Sequence, residues 1–218
     1  MSGNGTRTRV RRGSGRAQYD PEVVHAALDS QQICHVTWVE GGEPRVIPTL
    51  YVREGDALYL HGKREAATLR HLEAGGLCCI AVTAVDGVVV ARSGFHCSMN
   101  YRSVTLFGHG EKVAGKEHRR LLDLFVDRLI PGHGTAVLPP TSQEVAATAV
   151  VRVPIEEVVA KIRSGPPLDD EGDLDLDVWT GVIPCEVVPG APVPSPDLDA
   201  GVEVPGYILA LAGVDSRG

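Results

Sequence analysis

The sequence has few aromatic residues, 5% of 218, and no apolar stretch of the roughly 18 residues that suggest a membrane-spanning helix. Its N-terminal arginines are not followed by the apolar run that a secretory signal peptide requires. The five cysteines are odd in number and show no C-x-x-C spacing, which favours small buried hydrophobic residues over a disulfide framework. A cytoplasmic location without membrane contact is therefore expected.

Charge is distributed unevenly along the chain. The net charge is −7, and five arginines fall within the first 16 residues, where no acid occurs. The remainder holds 16 basic and 28 acidic residues. A body this acidic argues against a nucleic acid partner, because the phosphate backbone would repel it. Residues 1–18 are rich in Gly, Ser, Thr and Arg, and we expect a disordered basic arm there.

The remaining pattern predicts a mainly β protein. The 25 glycines and 15 prolines separate short apolar runs. A helix is expected over residues 20–30, because Asp20 suits the N-cap and Pro21 the first helical position. Apolar residues at helical spacing predict two more helices, Glu65–Ala74 and Lys116–Ile130. The predicted strands are Ile33–Val39, Arg45–Val52, Ala57–His61, Leu77–Ala84, Val88–Arg92, Tyr101–Lys112 and Val145–Val153, with Ile155–Ile162 as a strand or a short helix.

The order of these elements indicates an antiparallel β-barrel with flanking helices. The strands follow one another as a meander, with a turn expected at Asp86-Gly87 between two of them. A parallel sheet would need a crossover helix after nearly every strand, and that pattern is missing. We expect one domain over residues 19–188, followed by a Pro-rich tail over residues 189–218.

The segment Tyr59–Arg64 is the first candidate for binding chemistry. An apolar strand ends at Gly62, two basic residues follow, and a helix is predicted just beyond. A helix start presents free N–H groups, and Lys63 and Arg64 add positive charge, which together suit a phosphate monoester. A solvated basic turn is the alternative interpretation.

The segment Phe95–Val104 is the second candidate. Seven polar side chains lie between two apolar strands, too many for a plain connection. The group that can bind a polyol chain, a phosphate or a heteroaromatic edge consists of Ser98, Asn100, Tyr101, Arg102 and Ser103. Arg102 heads a strand, so it would be held more rigidly than an arginine in a loop.

With these segments the chain resembles the pyridoxamine-phosphate-oxidase-like flavin-binding split barrels, especially the branch of nitroimidazole-resistance flavoproteins. The resemblance covers about residues 34–184 and is carried by four motifs: Val46–Leu50, Leu58–Gly62, Ser98–Gly108 and Lys161–Pro167. It implies an antiparallel FMN-binding split barrel that forms a homodimer with flavins at the subunit interface.

The resemblance also implies roles for particular residues. Pro48, Thr49 and Leu50 would lie along the isoalloxazine; His61, Gly62, Lys63 and Arg64 would meet the ribityl phosphate; and Tyr101, Arg102 and Ser103, with Ser98 beside them, would complete that cradle. Lys161 and Arg163 would serve the phosphate or an anionic substrate, and Trp179 would cover a flavin. The basic C-terminal substrate motif of the pyridoxamine phosphate oxidases is missing, which argues against pyridoxamine phosphate as the substrate.

The histidines and acidic residues offer no recognisable metal site. His96 lies in the second segment and is the candidate for contact with a small-molecule substrate, whereas a zinc site needs several converging ligands. The acidic run Asp169–Asp177 lacks calcium-loop spacing and is read as a solvated loop. No metal ligands are therefore predicted.

The sequence thus predicts an FMN-dependent oxidoreductase. It would transfer hydride at flavin N5, reducing a nitro-like electron-poor compound or oxidising an amine. Two alternatives stay open: a split barrel that binds haem or a deazaflavin, and a non-catalytic flavin-binding protein.

Overall fold

The computed structural model describes residues 6–213, which form two compact units. Within this range the first unit runs to Val113 and resumes over Thr148–Glu186, and the second comprises Ala114–Ala147 and continues from Val187. No helix in the described range is both long and apolar enough to cross a membrane.

The first unit contains all ten strands found among residues 6–213. They are β1 (Ala17–Gln18), β2 (Ile33–Glu40), β3 (Glu43–Glu54), β4 (Ala57–Lys63), β5 (Leu77–Val90), β6 (Ser98–His109), β7 (Glu111–Lys112), β8 (Thr148–Pro154), β9 (Glu157–Arg163) and β10 (Gly181–Pro184). Every pairing is antiparallel, and the order is β1-β9-β6-β5-β2-β3-β4-β8-β7, with β10 on the end of β5. The sheet curls until Gly108 of β6 lies against Val153 of β8, which makes the predicted barrel.

Two helices complete the first unit. Helix α1 (Pro21–Asp29) begins as predicted, since Asp20 accepts the N–H of Glu22 at 2.8 Å and Pro21 occupies the first turn. Helix α2 (Ala67–Glu73) follows β4. Both helices bury apolar side chains in the one core cluster that the inner sides of the strands supply, including Leu28 of α1 and Leu72 of α2.

The second unit holds three helices: α3 (Gly115–Leu129), α4 (Ser142–Ala147) and α5 (Gly206–Leu211). The Pro-rich stretch that the sequence identifies as a tail falls here, and its last residues, 214–218, lie outside the described range. Within this unit His133 Nδ1 meets the hydroxyl of Tyr207 at 2.9 Å, which ties α5 to the loop after α3.

Two strand predictions are wrong in detail. The turn expected at Asp86-Gly87 is a β-bulge inside the continuous strand β5, because β6 pairs with β5 both before and after Asp86, and β10 pairs with β5 from Gly87 onward. The strand expected from Val145 begins at Thr148 instead. Thr141 and Glu144 exchange hydrogen bonds as a capping box, which starts a helix before the strand.

The described part of the basic arm, residues 6–18, lies against the sheet, whereas the sequence predicts disorder. Its strand β1 pairs with β9, and Arg7 forms an ion pair with Glu157 while its guanidinium sits 5.2 Å from the ring centre of Phe107. Thr8 is buried. Residues 1–5 lie outside the described residues. The segment is ordered by contacts with residues that are distant in the sequence. Its local composition gives no information about these contacts.

Candidate functional site

The first group of predicted site residues lies on the hairpin of β3 and β4. Pro48–Leu50 belong to β3, and His61–Arg64 run from the end of β4 toward α2. Strand pairing sets Tyr51 opposite Leu60, so the two predicted segments are the next residues along the paired strands. The fold therefore brings these two segments together.

The second group lies on β6 and β9. Tyr101 pairs with Arg163, and Ser103 pairs with Lys161, whose carbonyl accepts the Ser103 hydroxyl at 3.2 Å. The pairing of β6 with β9 therefore brings these four residues together. In the sheet order, β5 and β2 stand between β6 and β3, so the two groups occupy separate strands of one surface.

Alternation along the strands divides the predicted flavin contacts between two faces. Thr49 pairs with Cys34, which is fully buried, so Thr49 is on the side of the barrel interior. Pro48 and Leu50 are on the opposite side, which we call the outer face. Only these two members of the β3 segment can contact a ligand on the outer face through their side chains.

The same alternation separates Arg102 from its neighbours. In the pairing of β6 with β5, Arg102 lies opposite the buried Ala84 and is therefore on the interior side. Tyr101 and Ser103, one residue away on either side, are on the outer face. Arg102 donates to both carboxylate oxygens of Asp86, with Nη2 to Oδ1 at 2.7 Å and Nε to Oδ2 at 3.0 Å. The guanidinium of Arg102 is therefore already paired with the carboxylate of Asp86, which lies in the β-bulge.

Arg64 is likewise engaged within the chain. Its Nη1 donates to Glu73 at 2.6 Å and its Nη2 to the carbonyl of Thr148 at 2.9 Å. Lys63, by contrast, is exposed and has no acidic partner among the described residues. Of the two predicted phosphate cations on this segment, Lys63 is the one that retains an unpaired charge.

His61 is held as a neutral side chain. Burial lowers the pKa of its imidazole below the ordinary value of 6.5. His61 lies on the outer face of β4, and its strand partner on β8 is Val150, which is buried. A neutral ring at this position can donate or accept one hydrogen bond but adds no charge to an anion site.

The outer face carries a row of exposed apolar side chains. Val39 and Val46, on the β2–β3 hairpin, are 62% and 61% exposed, and Leu77 and Val85 on β5 are 42% and 46% exposed. Ile33 at the start of β2 is 49% exposed. Several exposed apolar side chains on one face of a sheet are typical of an interaction site, because apolar surface in water is unfavourable.

Trp179 stands beside the far end of β5. It precedes β10, and its ring lies over Gly181, where an added Cβ would come within 3.0 Å of the indole. The ring is 66% exposed. This exposed aromatic ring is available to stack on a flat ligand. Ser98 starts β6 opposite Val89, on the other edge of β5 from β10.

His96 joins a small cluster that sequence reasoning did not foresee. Its Nε2 lies 3.1 Å from Asp170 Oδ2, and Asp173 completes a group whose ligand atoms are within 4.8 Å of one another. This is the one such group among residues 6–213. The neighbouring Asp169 accepts from both the backbone N–H and the guanidinium of Arg92, which fixes the acidic loop to the turn before β6.

Two further histidines, His71 and His109, each contact the turn between α2 and β5, and their scattered positions in the sequence did not indicate this. His71 Nε2 donates to the carbonyl of Leu77 at 3.0 Å, and His109 Nδ1 donates to the carbonyl of Gly75 at 2.9 Å. Since a carbonyl only accepts, the bonded nitrogen of each ring carries the N–H. In the neutral ring the other nitrogen then has a free lone pair. The indole N–H of Trp38, whose ring lies 6.3 Å from that of His71, is buried without a hydrogen bond.

The fold and this surface define an antiparallel split barrel with cationic and aromatic groups around an exposed apolar face. The chain belongs to the pyridoxamine 5'-phosphate oxidase family, whose profile matches residues 20–162. The resemblance read from the sequence motifs is thereby confirmed. A comparison with curated proteins finds no match.

Solved structures give closer relatives. The flavocytochrome Anf3 from Azotobacter vinelandii is 39% identical, with a TM-score of 0.88 over 94% of this chain and 96% of its own. The FAD- and haem-binding protein from Mycobacterium smegmatis is 36% identical, with a TM-score of 0.85 over 89% and 96%. A 5-nitroimidazole antibiotic resistance protein from Bacteroides thetaiotaomicron is 22% identical, with a TM-score of 0.57 over 67% and 86%, and shares the fold.

Proposed function

We propose that this chain is a flavin-dependent redox protein that also holds a haem group. The observation that carries the proposal is the 39% identity with a flavocytochrome, extending over 94% of this chain and 96% of that one. The second relative, which is named for FAD and haem, has nearly the same extent. Similarity of this length covers most of both units of the chain.

The flavin would lie on the outer face. Pro48 and Leu50 would contact the ring, with Trp179 as the aromatic cover. Among the predicted phosphate cations, Lys63 and Lys161 have no acidic partner in the described part of the chain, whereas Arg64 and Arg102 are held by carboxylates. We therefore assign the flavin phosphate to the two lysines first. The bound flavin would supply one- and two-electron transfer.

Two flavins, FMN and FAD, are candidates for this site. The sequence motifs predict FMN, and one close relative is named for FAD. Both flavins share the isoalloxazine and the ribityl phosphate, so either fits the outer-face residues just described. Release of the cofactor by heat, followed by mass determination, decides between them.

The residues at the α2–β5 turn fit a haem. Imidazole nitrogen is a common iron ligand, and such a histidine usually donates its other N–H to a carbonyl. His109 has this arrangement, because its Nδ1–H donates to Gly75 and its Nε2 remains free. The space beside Gly76 is filled by the His71 ring and that beside Gly110 by the backbone of Leu72, which fixes this turn against α2. We assign His109 as the first candidate ligand and His71, whose Nδ1 remains free, as the second; the haem would supply one-electron transfer.

Absorbance spectra and histidine variants test this proposal. The purified protein, supplied with flavin and haemin, should show flavin absorbance together with a Soret band. His109→Ala should lose the Soret band and keep the flavin. His133→Ala is the matched control, since its Nδ1 is also hydrogen-bonded and its Nε2 is not, and it should keep both.

The outcomes separate the two cofactors. A protein that takes up no flavin overturns the whole proposal. A protein that takes up flavin but never haem leaves a flavin-only oxidoreductase, for which reduction of a nitro-like compound or oxidation of an amine by hydride transfer at N5 is the sequence-based hypothesis. Steady-state assays with nicotinamide donors and nitroaromatic compounds then distinguish an enzyme from a non-catalytic flavin-binding protein.

We further propose that a second copy of the chain covers the outer face. A self-complementary apolar patch suits a two-fold dimer, in which each residue appears twice. Val46→Glu would place two charges in that interface and should yield monomers by light scattering, with loss of flavin. Val187→Glu, at a residue that is 95% exposed, is the control and should remain dimeric. A wild-type protein that is monomeric at all concentrations contradicts this assignment.

A further inference from the structure

We propose that the cavity between the N-terminal arm and the end of β9 binds the phosphate group of an adenine-nucleotide-like ligand. This arm–β9 cavity has a volume of about 540 Å³, and Arg16, Gln18 and Arg163 are among its lining residues. Small-molecule sites commonly have volumes of roughly 300–1,000 Å³. The inference does not depend on the flavin proposal.

The first support is a buried cation that lacks an anion. Arg163 is only 7% exposed, and its guanidinium donates to the Asn100 side chain and to the carbonyls of Gly165 and Pro166. All three acceptors are neutral, and no carboxylate contacts this guanidinium in the described range. Burying a charge without a counter-ion is costly, so an anion in the cavity would stabilise it.

The second support is a second cation in the same cavity, Arg16, which is one of its lining residues. Lys161 does not line the cavity but lies near this part of the arm, since a Cβ added to Gly13 would be 3.8 Å from both Arg16 Cδ and Lys161 Cε. Gly13 has a φ of +65°, which favours glycine at this bend. Within residues 6–213 neither Arg16 nor Lys161 has an acidic partner, and no acidic residue lines the cavity.

The third support is the apolar part of the lining. Val23 of α1, Ile162 of β9 and Leu168 of the following loop form it. A ligand that matches both the cationic and the apolar lining residues carries an anionic group and a flat apolar body. Guanidinium groups pair well with phosphate, so a nucleotide of one base and one or two phosphates fits this chemistry.

Calorimetric titration with ADP tests the inference on full-length protein from which flavin has been removed. ADP should bind, and adenosine should bind at least about tenfold more weakly because it lacks the charge-assisted contacts. Arg16→Gln should weaken ADP binding by about tenfold or more. Arg11→Gln changes an exposed arginine of the same arm outside the cavity and should leave the affinity unchanged.

The source of the phosphate is decided by repeating the titration on reconstituted protein. If loading with FAD prevents ADP binding and loading with FMN does not, the cavity holds the adenylate half of FAD. If both loaded forms still bind ADP, the ligand is a separate nucleotide. Absence of ADP binding at millimolar concentration, or an Arg16→Gln variant that binds ADP as tightly as the parent, overturns the inference.

Discussion

Replacing Gly110 with alanine should force helix α2 away from the sheet. The added Cβ would lie 2.3 Å from the carbonyl oxygen of Leu72 and 2.7 Å from its Cα and carbonyl carbon. These are backbone atoms, so no side-chain rotation relieves the overlap. The N–H of Gly110 also donates to the carbonyl of Gly76 at 3.2 Å, which holds the two segments together at this point.

The expected loss follows from the cost of overpacking. Forced insertion of a methyl group into a packed interior costs typically about 1–3 kcal/mol, and a backbone clash belongs at the upper end. For a chain of this size, ~3 kcal/mol lowers Tm by roughly 6–12 °C. Because α2 also carries His71, a candidate haem ligand, haem uptake should fall in the same variant.

Thermal unfolding monitored by circular dichroism measures this effect. Gly94→Ala is the matched control, because an added Cβ there meets nothing within 4 Å and no positive φ is required. The control should unfold within about 1 °C of the parent protein, since exposed substitutions usually change stability by less than ~0.5 kcal/mol. If Gly110→Ala has the same Tm as the control, the described contact between α2 and the end of β6 is wrong.

Three other outcomes are expected. Arg102→Ala should lower the free energy of unfolding in urea by no more than about 1 kcal/mol, because the ion pair of Arg102 with Asp86 is partly exposed. Equilibrium dialysis tests the predicted role of Arg102 in binding the flavin phosphate: lost flavin affinity would support that role, and unchanged affinity would contradict it. Burial lowers the pKa of His61, so the unfolded chain takes up its proton first; stability should fall as pH drops below about 6.5, and less steeply in His61→Gln. Burial raises the pKa of the Cys34 and Cys78 thiols to about 12, so iodoacetamide at pH 8 should label the exposed Cys97 and spare both until denaturant is added.

Local sequence was sufficient for most of the elements. Apolar alternation marks the strands, and the Asp20-Pro21 pair marks the start of α1, because both signals depend on neighbours within a few residues. The capping box of Thr141 and Glu144 is also a local pattern that the sequence contains, although the apolar residues that follow it favoured a strand. The bulge at Asp86 was not readable as one, since its geometry comes from strands that pair with β5 on either side.

The sequence by itself therefore determined the antiparallel barrel, the family and the two segments of polar and basic residues. Only the tertiary structure decided which cations remain available for a ligand. Arg64 is matched by Glu73 and Arg102 by Asp86, whereas Arg16 and Lys161 have no acidic partner among residues 6–213. The physical reason is that charge pairing depends on strand register and on contacts between distant residues, which composition and spacing do not encode.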